Sequence, residues 1–147
     1  MINNYVKMIC GMLELPMPQV FYNDSALEPV QHARLTPDGK QLYLRKLKTA
    51  SLDQLFAASS ELRREWQRRR DAAMYYGSYK TRELREFSLQ PAEVDANAFA
   101  AVMVSAFFGV EPVFDEYPGV TRSRIESRIA EIRRDEFPQL AGMKLPH

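Results

Sequence analysis

One helical turn separates Ser60 from Arg64, and Glu61 stands between them. Residues at i and i+4 share a helix face. At this spacing two imidazoles can hold a zinc ion while the carboxylate beside the first takes the proton of a bound water. Serine is a poor zinc ligand, and an arginine guanidinium is a permanent cation that repels the metal. The run Ser60-Glu61-Leu62-Arg63-Arg64 therefore keeps the carboxylate and lacks both ligands, and no zinc or other cofactor is expected there. A serine nucleophile at position 60 would need a positioned base. Only His32 or Lys80, brought in by folding, could supply one, and a helix interior is an unusual perch for such a serine. Cys10, on an apolar helix face, reads as a small core residue. His32 in an expected strand and His147 near the end have no partner at ligand spacing.

About thirty residues later comes Leu89-Gln90-Pro91-Ala92-Glu93-Val94-Asp95-Ala96-Asn97-Ala98-Phe99-Ala100. Together with Glu61, Leu62, Arg63, Trp66 and Gln67, this block resembles small zincin-like bacterial proteins, broadly of the ImmA/IrrE metallopeptidase kind and most closely short reading frames of mobile elements. Their pattern runs H-E-L-R-H-x-W-Q, then L-Q-P-A-E-x-D-A-N-A-F-A. The resemblance implies a zincin fold over about residues 1 to 110, with Asp95 or Glu93 in the place of the third metal ligand. It also implies a degenerate member, because Ser60 and Arg64 stand where the two histidines would be. With the metal gone, Arg64 is expected within salt-bridge reach of Asp95 or Glu93, and Ser60 contributes a small hydroxyl.

A chain of 147 residues with 46% hydrophobic content builds one core and is short for two. Its 20 basic and 19 acidic residues leave a net charge of +1, so no whole-molecule field draws it to nucleic acid or to an anionic membrane. A single cysteine excludes an internal disulfide framework and makes the cytoplasm the expected location. The first fifteen residues are interrupted by Asn3, Asn4, Lys7 and Glu14, and neither a signal peptide nor a membrane span is visible.

The expected fold is α+β, a single zincin-like domain over residues 1–137 followed by a flexible tail over 138–147. Val6, Ile9, Cys10 and Leu13 predict an N-terminal helix stopped by Pro16 and Pro18. Val20 to Asn23 predicts a strand. Val30 to Leu35 and Leu42 to Leu47, around Thr36-Pro37-Asp38-Gly39, predict a hairpin. From Ser51, a plausible cap, Leu52, Leu55, Phe56, Ser59, Leu62 and Trp66 form a stripe at helical spacing. A tyrosine-rich connection, Met74 to Phe87, leads to a helix from about Ala92 to Phe108 with Pro91 at its start, apolar nearly all round and so central to the core. A last amphipathic helix, about Thr121 to Glu136, places Ile125, Ile129 and Ile132 on one side.

The other candidate surface is basic. Arg63, Arg64, Arg68, Arg69 and Arg70, followed by Lys80, Arg82 and Arg85, interleave with Trp66, Tyr75, Tyr76 and Tyr79, a composition able to contact phosphates and stack on bases. Glu61, Glu65, Asp71, Glu83 and Glu86 dilute that field, and cations near a helix C-terminus also answer its dipole. A protein or peptide partner is favoured over nucleic acid. The sequence thus reads as a catalytically silent metallopeptidase scaffold that acts by binding, with Ser60, Glu61, Arg64, Glu93 and Asp95 as the former active-site positions. The alternatives are a hydrolase with unusual ligands, or a nucleic-acid module using the Arg63 to Arg70 region.

Overall fold

The computed structural model describes residues 1–70 and 90–140. Helix α1 (Ile2–Leu13) turns Ile2, Tyr5, Val6, Ile9, Cys10 and Leu13 inward, spacing that makes one apolar face. It ends ahead of the prolines. Glu14 takes the left-handed conformation at φ 56°, and the Leu15 N–H donates to the Cys10 carbonyl at 2.8 Å, closing the last turn.

Strands β1 (Gln19–Tyr22), β2 (Ala33–Leu35) and β3 (Gln41–Leu44) form one sheet in the order β1-β3-β2. β1 runs parallel to β3, and β2 pairs with it antiparallel. The hairpin turns at Gly39, whose φ of 73° suits a residue without a side chain and whose N–H donates to the Thr36 carbonyl at 2.8 Å. Asp38 Oδ1 accepts from the Thr36 hydroxyl and the Lys40 N–H, fixing the same turn. Leu42 and Leu44 alternate with Gln41 and Tyr43, so one face of β3 enters the core. The strand expected from Val30 starts only at Ala33, and Val30 is 87% exposed. Arg45 accounts for the shortening, because its guanidinium takes the Glu28 and Gln31 carbonyls, each at 2.7 Å.

Helix α2 (Leu52–Arg70) is capped by Ser51, whose hydroxyl accepts from the Gln54 N–H at 3.1 Å. Leu55, Ala58, Ser59 and Leu62 are buried, whereas Leu52, expected in the same stripe, is 42% exposed at a cleft it shares with Val110 and Val113. Helix α3 (Pro91–Phe108) is buried on every side from Ala92 to Val104 and packs between α2 and a fourth helix, α4 (Gly119–Glu131). Gly109, at φ 67°, ends α3 and returns its N–H to the Ser105 carbonyl.

The last helix departs from the expected single α-helix to Glu136. From Ile132 to Glu136 it widens into a π-helical turn, with the Phe137 N–H donating to the Ile132 carbonyl at 2.9 Å. Ile125 and Ile132 are wholly buried. Ordered packing also runs past the expected tail boundary, since Pro138–Leu140 forms a short 3-10 turn that buries Leu140. Among the described residues the architecture is mixed α and β, four α-helices and one three-stranded sheet in a single compact domain. None of those helices is long and apolar enough to cross a membrane. The tyrosine-rich connection lies outside the described residues.

Candidate functional site

Helices α2 and α3 lie against each other with charged residues on both flanks of their contact. On one flank Arg64 reaches from α2 to α3, donating from Nε and Nη2 to the two carboxylate oxygens of Glu93 at 3.2 and 2.9 Å. Its Nη1 donates to Glu61 Oε1 at 3.2 Å, within one turn of its own helix. The fork thereby bridges two carboxylates. Glu61 uses its second oxygen to accept the Leu35 N–H at 3.3 Å, tying α2 to β2. Burial pushes the Glu61 carboxyl above the usual range, against the opposing pull of Arg64 and the Leu35 N–H. Burial also opposes the charge on Arg64, but Glu93 and Glu61 overcome it and hold the guanidinium cationic. Ser60, on the face of Arg64, donates its hydroxyl to the Ala57 carbonyl at 3.1 Å.

Ser60, Glu61 and Arg64 form one wall of a surface cleft of about 470 Å³, with Val30, His32 and Asp53 among the residues around them. His32, which has no ligand-spaced partner in sequence, is brought here by the chain entering β2, and its Nδ1 is buried with no hydrogen-bond partner among the described residues. Asp53 was equally invisible as a site residue; its only sequence signal is an acid in the first turn of α2.

On the other flank a second network has a buried centre, Arg63 and Asp95, and two partly exposed members, Arg128 and Glu136. Arg63, with a side chain at 0% exposure, donates from Nε and Nη2 to Asp95 at 2.7 and 3.1 Å, and again from Nη2 to Glu136. Gln67 Nε2 and Arg128 Nε donate to the same Asp95 at 2.8 and 2.9 Å. Arg128 also meets Glu136 at 2.8 Å. The Arg63 guanidinium carbon lies 3.8 Å from the Trp66 ring centroid and 4.9 Å from that of Phe99. Burial alone would raise the Asp95 carboxyl, but Arg63, Gln67 and Arg128 together hold it below the usual carboxylate range. Nothing in the spacing marks Arg128 or Glu136 as members, since both read as ordinary charges on an amphipathic helix.

The two acids of the second sequence block are therefore separated by function. Glu93 shares the face of Ser60 and Arg64, while Asp95 belongs to the second network. Arg63, expected among the surface cations, is instead the largest fully buried side chain among the described residues, held there by Asp95 and Glu136. Trp66 is half-buried against the core and under that guanidinium, a poor platform for a stacked base. Arg68 and Arg69 converge on Glu65, and Arg70 pairs with Glu14 at the end of α1. Tyr75, Tyr76, Tyr79 and Lys80, with His147, lie outside the described residues.

The donors around Ser60 do not suit zinc. The places one turn apart present a hydroxyl already given to the backbone and a cation already locked between carboxylates. Among the described residues no group of three His, Cys, Asp or Glu side chains is arranged to hold a metal. Comparison with protein-family models, with curated proteins and with solved structures finds no match for this chain.

Proposed function

We propose that this chain is a zincin-like scaffold that has lost metallopeptidase chemistry and works as a binding protein, engaging a protein or peptide partner at the cleft beside Ser60. One observation carries the reading: Arg64 sits one helical turn after Ser60 and fastens Glu61 to Glu93. A dication held by two imidazoles and an acid would leave that acid stranded and costly if the ion were simply lost. A guanidinium in the second ligand position supplies the missing positive charge, and Glu93, rather than Asp95, takes the third-ligand role in this correspondence. The cleft itself persists, at about 470 Å³, within the size range of small-ligand and side-chain sites.

The reading is tested by restoring the ligands. Ser60→His with Arg64→His should create a tight zinc site completed by Glu93, and neither single change should do so. Calorimetric titration of the folded double variant reads the result, with Glu93→Gln added as the control that removes the third ligand. A folded double variant that takes up no zinc would overturn the scaffold assignment.

A further inference from the structure

Two clefts meet on the surface of α2. The one beside Ser60 and a second of about 320 Å³, between the start of α2 and the chain linking α3 to α4, share Asp53 and Phe56 in their walls. They adjoin across Asp53 and Phe56, and the paired clefts, taken together as one groove, carry Arg64 at one end and Val113 at the other. Its charge is one-sided: among the described residues Asp53, Glu61, Glu111 and Glu116 line it, against Arg64 alone. Arg64 is already spent on Glu61 and Glu93, and Arg133 reaches Glu111 at 3.4 Å. Asp53 and Glu116 have no ionic partner among the described residues. The excess is local, because the whole chain carries a net charge of +1.

The groove is also apolar where it is open. Val30 at one end is 87% exposed and Val113 at the other 72%, with Leu52 and Val110 partly exposed between them and Phe56 at the junction. Single exposed aliphatic residues need no explanation, but several converging on one acid-rimmed groove mark a contact surface. His32 stands in the same wall, and among the described residues its buried Nδ1 has no hydrogen-bond partner.

We infer that the groove binds a peptide segment of another protein that carries Lys or Arg residues beside aliphatic ones. This inference deepens the binding role proposed above and rests on it. The aliphatic side chains cover Phe56 and Val113, and the cations meet Asp53 and Glu116, where complementary charge sets orientation and the rate of encounter. Nucleic acid, being anionic, is excluded from this face.

The test is selection of a random-peptide display library on the purified full chain. Enriched sequences should be net basic and contain aliphatic residues. Synthetic peptides from the selection, followed by fluorescence anisotropy, should lose affinity about tenfold or more against Asp53→Lys with Glu116→Lys, or on raising salt. Asp53→Asn with Glu116→Gln gives a milder version should the reversal disturb folding, and Arg68→Ala with Arg69→Ala should change nothing. Acidic or neutral winners, winners that bind the double variants equally, or no enrichment at all would overturn the assignment. Zinc uptake by the histidine double variant reads the scaffold separately, so the two claims fail independently.

Discussion

Arg63 and Arg64 are consecutive on α2 yet end in separate networks, the first on Asp95 at 2.7 Å and the second on Glu93 at 2.9 Å. Adjacent residues of a helix point about 100° apart, so the pair straddles the contact line with α3. The acids they meet, two apart on α3, diverge in the same way. The helices are thereby laced on both flanks, one centred on a wholly buried guanidinium and the other on a guanidinium that borders the cleft.

That asymmetry predicts unequal costs of truncation. Arg63→Ala removes the two-pronged partner of Asp95, whose side chain is 1% exposed and keeps only Gln67 and Arg128, and empties a wholly buried site, so it should cost about 3–5 kcal/mol. The Arg64 side chain is 27% exposed, and its loss leaves Glu61 and Glu93 access to water, so Arg64→Ala should cost about 1–3 kcal/mol. Denaturant unfolding of the two variants gives the comparison, and equal costs would deny the distinction between the flanks.

The two networks should also respond oppositely to acid. Asp95 is held below its unfolded pKa of about 4, so its contribution is complete above that value and drains away as pH falls through the folded one. Asp95→Asn should flatten the acid side of the stability curve. Glu61 is raised, so the folded state keeps its proton longer and stability falls as pH climbs from about 4.3 through the raised folded value. Glu61→Gln should therefore gain on the wild type across that window. Thermal melts at stepped pH distinguish the two slopes.

Cys10 is 2% exposed, and burial pushes its thiol up to about 11. Neither access nor thiolate is available in the native protein near neutral pH. Iodoacetamide should label Cys10 only as denaturant opens the core, with the labelled fraction following the unfolding curve. Rapid labelling in buffer alone would contradict its placement.

The basic end of α2 is expected to be a weak nucleic-acid surface, because Glu65 and Glu14 already hold Arg68, Arg69 and Arg70. Single-stranded oligonucleotides should bind no more tightly than about 10 μM at physiological salt, with little further loss when all three arginines become alanine. Submicromolar, salt-sensitive binding measured by anisotropy would assign that face a role of its own.

What could be read from the chain follows from how local each signal is. The Thr36 to Gly39 turn, the Ser51 cap, Pro91 and the all-round apolar run after it are written in short stretches, and the α+β class with these elements was legible from them. The face shared by Ser60 and Arg64 followed from helical spacing, while the reach of Arg64 to one of two acids was what the zincin resemblance implied. Choosing Glu93 over Asp95 required the phase of α3 against α2, which no local pattern encodes. The same limit hid the burial of Arg63, whose partners lie 32 and 73 residues away. The zincin likeness stays outside what the fold class alone decides.

The π-helical turn has an angular consequence. Arg128 and Glu136 are eight residues apart, which in an uninterrupted α-helix leaves them roughly 80° out of alignment. Advancing through the wider turn from Ile132 retards the helix by roughly 70°, enough to bring the two side chains onto a common bearing. Their 2.8 Å contact is thus a product of phase and not of spacing. Regular α-helical pitch over the same eight steps would swing the Glu136 carboxylate roughly 80° away from Arg128, whereas deleting one residue between Ile132 and Glu136 would leave seven steps, about 20° from alignment, and keep the carboxylate on the bearing of the arginine that depends on it.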